Sequence, residues 1–175
     1  PWLEITNLRV VSGQVSECVT RGRATEAFVC TVSYTVENTG RAPARALYIG
    51  GCGYNAELPQ ALTEKSDQMG EIAQLSLAND GFFIAPGGKV EQWFLVFAEP
   101  TEKGRLPVFV KLFAVYTNVG RDQRMEVETN AMIGERQAEI HGMPNQTPIE
   151  LSMEGVRSGR QTRIEPMNII TLNMT

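Results

Sequence analysis

The sequence predicts an all-β fold, an immunoglobulin-like β-sandwich of about seven strands with an extra C-terminal hairpin or arm. Three observations predict it. Apolar and polar side chains alternate with a period of two in several segments, the spacing that turns successive side chains to opposite faces of a strand. Asn, Gly and Pro separate those segments, as sandwich loops require. Helix-compatible spacing is confined to residues 58–77, which read as a short helix or as a long loop between sheets.

The first strand spans residues 3–11, where Leu3 and Ile5 fall out of phase with Leu8 and Val10, so a bulge is expected near Thr6-Asn7. Residues 26–37 carry the clearest pattern: Phe28, Cys30, Val32, Tyr34 and Val36 alternate with Thr31, Ser33, Thr35 and Glu37. Asn38-Thr39-Gly40 then supplies a turn, and Ala44, Ala46 and Tyr48 run back as a hairpin or a sandwich corner. Residues 72–77 are a weak strand. Pro86-Gly87-Gly88 is a turn, and residues 90–97 are apolar at nearly every position, as in a strand covered on both faces or in the sandwich centre. Residues 107–116 alternate Val108, Val110, Leu112, Ala114 and Tyr116 against a second row with Phe109 and Phe113. The chain turns at 118–122 and returns over 124–133, with Met125, Val127, Ala131 and Ile133 on one face and Glu126, Glu128 and Asn130 on the other.

The texture changes after Gly134, so residues 1–134 are expected to form the sandwich and 135–175 a C-terminal extension. Residues 143–148 are turn-rich, and Ile149-Leu151-Met153 and residues 164–174 alternate again. An edge hairpin is favoured over an arm docked on a neighbouring molecule, because apolar alternation usually finds a home in its own chain.

A chain of 175 residues is long enough to fold around one core without a staple. The net charge of -4 and the lack of a Lys/Arg run exclude a surface built to track phosphates, so no nucleic acid is expected as partner. The longest apolar run, residues 93–98, falls far short of the ~20 residues that cross a bilayer. Because the chain starts at Pro1 rather than Met, a removed N-terminal signal or anchor helix is expected upstream. Of the three cysteines, Cys18 and Cys30 flank Arg21-Gly22-Arg23, and a hairpin centred near residue 24 would place them opposite each other within reach of a disulfide. The alternative is a small buried hydrophobe at Cys30. Cys52 is left as a possible free thiol.

Pro1-Trp2, residues 32–36 leading into Asn38-Thr39-Gly40-Arg41-Ala42-Pro43-Ala44, Pro86-Gly87 and Tyr116-Thr117-Asn118-Val119-Gly120 together resemble the exterior domain of short, N-terminally membrane-anchored bacterial proteins of unknown function. The Asn-x-Gly corner is also similar to that of adhesion modules built on an immunoglobulin-like sandwich. The resemblance covers residues 1 to about 134. It implies a sandwich fold and a periplasmic or cell-surface location, with no catalytic residues to carry over, and it leaves the tail unexplained. The corner has a structural reading as well: Gly40 takes a dihedral with little Cβ penalty, and Pro43 stiffens the start of the next strand.

The sequence shows no strong chemical constellation. One histidine, His141, and three scattered cysteines lack metal-ligand spacing, so no metal or cofactor is expected. A hydrolase would need Cys52, within Gly50-Gly51-Cys52-Gly53, to meet His141, whereas glycines around a cysteine at a strand end more often serve a tight turn. Glu126 and Glu128 read as a solvated face rather than a glycosidase pair. Asp67, Asp80 and Asp122 are too dispersed for a calcium loop, and Gly87-Gly88-Lys89 is a turn rather than a phosphate loop. Among Trp2, Trp93, Phe94 and Phe97, the last three are expected in the core, and Trp2 would suit a membrane interface. The expected role is therefore a non-enzymatic exterior interaction domain. Its partners would be another protein or its own copies, through edge strands or the C-terminal arm, and the membrane, through the removed helix. The alternatives are a virion or assembly protein whose C-terminal arm exchanges between subunits and, after that, the hydrolase using Cys52 and His141.

Overall fold

Period-two alternation becomes two antiparallel sheets packed face to face in a computed structural model that describes residues 1–20, 22–55, 82–101, 105–106, 108–120, 123–135 and 149–166. The strands are β1 (Leu3–Thr20), β2 (Arg23–Asn38), β3 (Ala44–Asn55), β4 (Phe82–Ile84), β5 (Lys89–Ala98), β6 (Arg105–Leu106), β7 (Val108–Asn118), β8 (Arg124–Glu135), β9 (Ile149–Ser152) and β10 (Thr162–Pro166). A short helix, α1 (Met153–Arg157), lies between the last two. One sheet has the order β1-β2-β5. The other runs β4-β3-β7-β8, with β10 paired to β8 and with β9 linking β8 to β6. The chain thus forms a sandwich corner, not a hairpin, between β2 and β3. The expected helix at 58–77 and strand at 72–77 lie outside the described residues.

The core forms where the predicted apolar rows meet. Phe28, Cys30, Val32, Tyr34 and Val36 of β2 face Val108, Val110, Leu112, Ala114 and Tyr116 of β7 and Ala131 and Ile133 of β8 in one buried cluster. The expected bulge in β1 is present: the pairing with β2 shifts between Thr6 and Arg9, and Asn7 adopts a φ of 53°. Asn tolerates that left-handed conformation, which lets Leu3, Ile5, Leu8 and Val10 all reach the core despite their phase break.

Two sequence readings about strand surroundings need correction. Residues 90–97 do not form a strand covered on both faces: β5 is an edge strand, with β2 as its partner among the described residues, and only one of its faces meets the core. The strand buried on both faces is β7, whose second row includes Phe113 and Val115, covered by Leu47 and Tyr48. The glycines around Cys52 serve no turn. They lie within β3, where a Cβ on Gly51 would stand 2.6 Å from Phe94 Cε1 and one on Gly53 2.4 Å from Val96 Cγ1. Their missing side chains let β5 of the facing sheet approach closely.

The Asn38 corner also works differently from the turn chemistry expected. Asn38 is fully buried, and its side chain uses both ends. Oδ1 accepts from the backbone N–H of Trp2 (3.3 Å) and of Gly40 (3.1 Å), and Nδ2 donates to the carbonyls of Ala42 and Ile84 (both 2.9 Å). Its backbone N–H donates to the Gly88 carbonyl, and its carbonyl accepts from the Gly87 N–H. Gly40 has no left-handed φ; it is small because a Cβ there would lie 2.5 Å from the Trp2 backbone nitrogen.

The described part of the extension, residues 149–166, belongs to the same core, to which Leu151, Met153 and Ile164 contribute. It pairs with β8 of its own chain, β9 and β10 flanking Gly134 and Glu135 from opposite edges rather than pairing with each other as a hairpin.

Removing the Asn38 amide strands two buried carbonyls and two N–H groups. Asn38→Ala should lower stability by roughly 2–4 kcal/mol, whereas Thr39→Ala beside it, exposed, should cost no more than about 0.5 kcal/mol. Urea unfolding followed by tryptophan fluorescence measures both.

Candidate interaction surface

The sequence of β5 is apolar at both parities, and the fold uses the two sets differently. Phe94, Val96 and Ala98 point inward with Val90. Trp93, Leu95 and Phe97 point out, 70%, 65% and 44% exposed. Successive outward side chains on one strand stand two residues apart, so the three form a continuous stripe. Across the ladder the stripe meets Ser33, Thr31 and Val29 of β2 in turn. Arg9 of β1 closes one end: its Nε donates to Ser33 Oγ (2.8 Å), and its guanidinium reaches over β2 to Glu91 of β5 (2.6 Å). Both ends of that ion pair are largely in water, so it orders the face more than it stabilises the fold.

The exposed apolar area of these side chains is on the order of 350 Å², within the range of the largest patch on an ordinary monomer. Covering it would contribute on the order of 9 kcal/mol before costs. Association itself costs about 4–15 kcal/mol, so the stripe alone holds a partner weakly, and a further source of binding energy is needed. The open edge of β5 is such a source. Among the described residues no strand pairs with that edge, so its main-chain groups can extend the ladder to an added strand.

The predicted site residues do not converge. β1 and β2 turn at residues 20–23, not near 24, and this register sets Cys18 against Thr25 and Cys30 against Gly13. A disulfide between Cys18 and Cys30 is therefore ruled out in this structure: the two lie five residues apart along the ladder, roughly 16 Å at strand spacing. Cys30 is instead the small buried hydrophobe, its thiol pushed up to about 12 by burial and so chemically quiet. The Cys18 thiol lies 3.2 Å from the Thr25 carbonyl. Cys52 sits in β3 opposite Lys111 in the ladder. His141, Asp67, Asp80 and Asp122 lie outside the described residues. Among those described, no three His, Cys, Asp or Glu side chains gather to hold a metal. Glu128 pairs with Lys111 at 3.0 Å on the outer face of the second sheet, while Glu126 faces water. Trp2 is also exposed. The outward placement of the β5 stripe was missed because alternation alone does not reveal what covers each face.

One carboxylate is buried among the described residues, Glu135 at the end of β8. Its Oε1 accepts from the hydroxyl (2.9 Å) and backbone N–H (3.3 Å) of Ser152, the residue that caps α1 through Gly155 N–H, and its Oε2 accepts from Arg160 (2.9 Å). Burial raises the cost of its charge, but the hydrogen bonds from Arg160 and Ser152 outweigh that cost and hold the carboxyl below its usual range. This is a structural clasp between β8 and the C-terminal segment. Its contribution is fully present above the unfolded carboxylate value of ~4.3 and is lost as pH falls through the lower folded value.

No known family model, curated protein or solved structure matches the chain.

Glu135→Gln should cost roughly 1–3 kcal/mol at pH 7, discounted because Arg160 lies mostly in water. The gap between variant and wild type should narrow as pH falls below ~4. Chemical denaturation across a pH series tests this, and a gap independent of pH would refute the clasp.

Proposed function

We propose that this chain is a non-enzymatic interaction domain that takes a protein partner on the outer face and open edge of β5, the partner supplying an extended segment as an added strand. The observation that carries the reading is the stripe of Trp93, Leu95 and Phe97 standing in water on an edge strand. Main-chain bonds along the edge would supply affinity, and alternate side chains of the added segment would lie beside the stripe and select it. The exterior, membrane-held setting rests on the resemblance alone. A reading frame without about 20 apolar residues upstream of Pro1 would remove it.

The test is a peptide library selected on the wild-type domain. Selected peptides should carry apolar residues at alternate positions, and Leu95→Lys should weaken them at least ~10-fold while leaving stability within about 0.5 kcal/mol, as expected at an exposed position. Peptides that bind the Leu95→Lys domain as tightly as wild type would sink the assignment of this surface.

A further inference from the structure

The outward positions of β5 form a pattern that is symmetric about its middle. Trp93 and Phe97 stand two residues either side of Leu95, and Glu91 and Glu99 stand four either side. Pro100 closes one end of this run, since it has no N–H to give to a ladder. An edge that takes an unrelated segment has no need of such symmetry. A strand that pairs with its own copy does, because a two-fold axis sets the same patch on both sides of the contact.

Two β5 edges related by an axis normal to the sheet run antiparallel and pair residues of like parity, so outward side chains meet outward ones. Centred on Leu95, the register sets Leu95 against Leu95 of the second copy and Trp93 against its Phe97, twice over. All six side chains of the two stripes then lie in cross-strand pairs, aromatic on aromatic at both ends. The neighbouring registers break this arrangement. A centre on Phe94 sets Phe97 against Glu91, and a centre on Val96 sets Trp93 against Glu99. On the inner face the Leu95 register sets Phe94 against Val96, both of which pack on the core, so apolar contact runs across the seam.

Charge and length agree. This register brings Glu91 beside Glu99 of the second copy, and like charges directly opposite each other would oppose the contact if left alone. Arg9 supplies the compensation. Its Nη2 holds Glu91 at 2.6 Å and its Nε donates to Ser33, while Nη1 has no partner among the described residues. A guanidinium, with five N–H donors in a fixed fork, can serve two carboxylates at once. A ladder over residues 91–99 would be roughly 30 Å long and carry roughly eight to ten main-chain hydrogen bonds, the number in an ordinary protein–protein interface. The two stripes bring together about 700 Å² of apolar surface, less than the ~1,200 Å² at which stable complexes begin, so the contact is that of a reversible pair.

We propose that the strand added to β5 is the β5 edge of a second copy of this chain, paired antiparallel about Leu95 so that the two three-stranded sheets join into one of six. This rests on the reading that β5 takes an added strand, and it names the partner.

The test is sedimentation velocity of the full chain from micromolar to millimolar concentration, where the wild type should pass from monomer to dimer. Leu95→Lys and Leu95→Glu should each weaken the dimer at least ~10-fold, because like charges then face each other at its centre. An equal mixture of the two variants should restore it to within a few-fold of the wild type, a pattern that only a contact of residue 95 with residue 95 produces. Arg9→Gln should weaken the dimer ~3-fold or more. Far-ultraviolet circular dichroism reports whether each variant remains folded. If one does not, NMR contacts between Trp93 of labelled and Phe97 of unlabelled wild-type chains decide. A wild type that stays monomeric throughout would overturn the proposal: peptides selected on that monomer would show that β5 takes its strand from elsewhere, and their absence would remove both readings. A dimer indifferent to the Leu95 variants, or a mixture that stays monomeric, would overturn it as well.

Discussion

The sandwich depends on Asn38, the residue at which the chain leaves one sheet for the other. A polar side chain with no exposure to water is costly unless every donor and acceptor is used, and here both ends of the amide are occupied. The partners come from three places: the N-terminus at Trp2, the corner at Gly40 and Ala42, and the end of β4 at Ile84. The backbone of Asn38 adds the 85–88 turn that launches β5. One residue therefore fixes where β1 begins, where β3 begins and where β5 begins. Three strand starts, distributed over both sheets, share one hydrogen-bonded centre.

The fold was legible in the sequence wherever one face of a strand is apolar and meets the core while the other carries polar side chains. For β2 and β8, alternation named the buried row correctly, and the phase break in β1 located its bulge at Asn7. What alternation does not contain is neighbour order. β5 and β7 are both apolar at two parities, yet one is an edge strand with a bare outer face and the other is central with both faces covered. The Cys18 and Cys30 pairing failed for a related reason: moving a hairpin centre by two or three residues moves every cross-strand partner by about five, and the turn itself lies at 20–23. The glycines of β3 illustrate a third limit. Their local sequence suggests a turn, while the requirement comes from Phe94 and Val96 on the opposite sheet, which no local pattern encodes.

The candidate surface was legible in kind but not in place. An edge strand as the point of contact follows from any open sandwich, but the identity of that edge depends on which outer face keeps its apolar side chains. The extension was visible as a change of texture after Gly134. Its attachment was not, because it rests on Glu135, an isolated acidic residue in sequence that becomes buried only when Ser152 and Arg160 arrive from later in the chain. Gly155 belongs to the same arrangement, for a Cβ there would overlap the Glu135 carboxylate. A boundary at 134–135 thus runs through the tightest joint of the C-terminal segment, and residues 149–166 fold with the sandwich rather than beside it.

Among the described residues, the free edge of β5 is set apart by what surrounds it. On β5 the ends carry the usual guards against unwanted pairing: Lys89 and Glu91 at one end, Pro100 just past the other. Between those guards lie Trp93, Leu95 and Phe97, which contribute nothing to the core and raise the risk of aggregation. A strand that needed only to stay soluble would carry polar residues at those three positions, as β2 does directly alongside with Thr31 and Ser33. Charged guards around an apolar centre suit an edge that admits one added strand in one place, and that is the physical case for contact at β5.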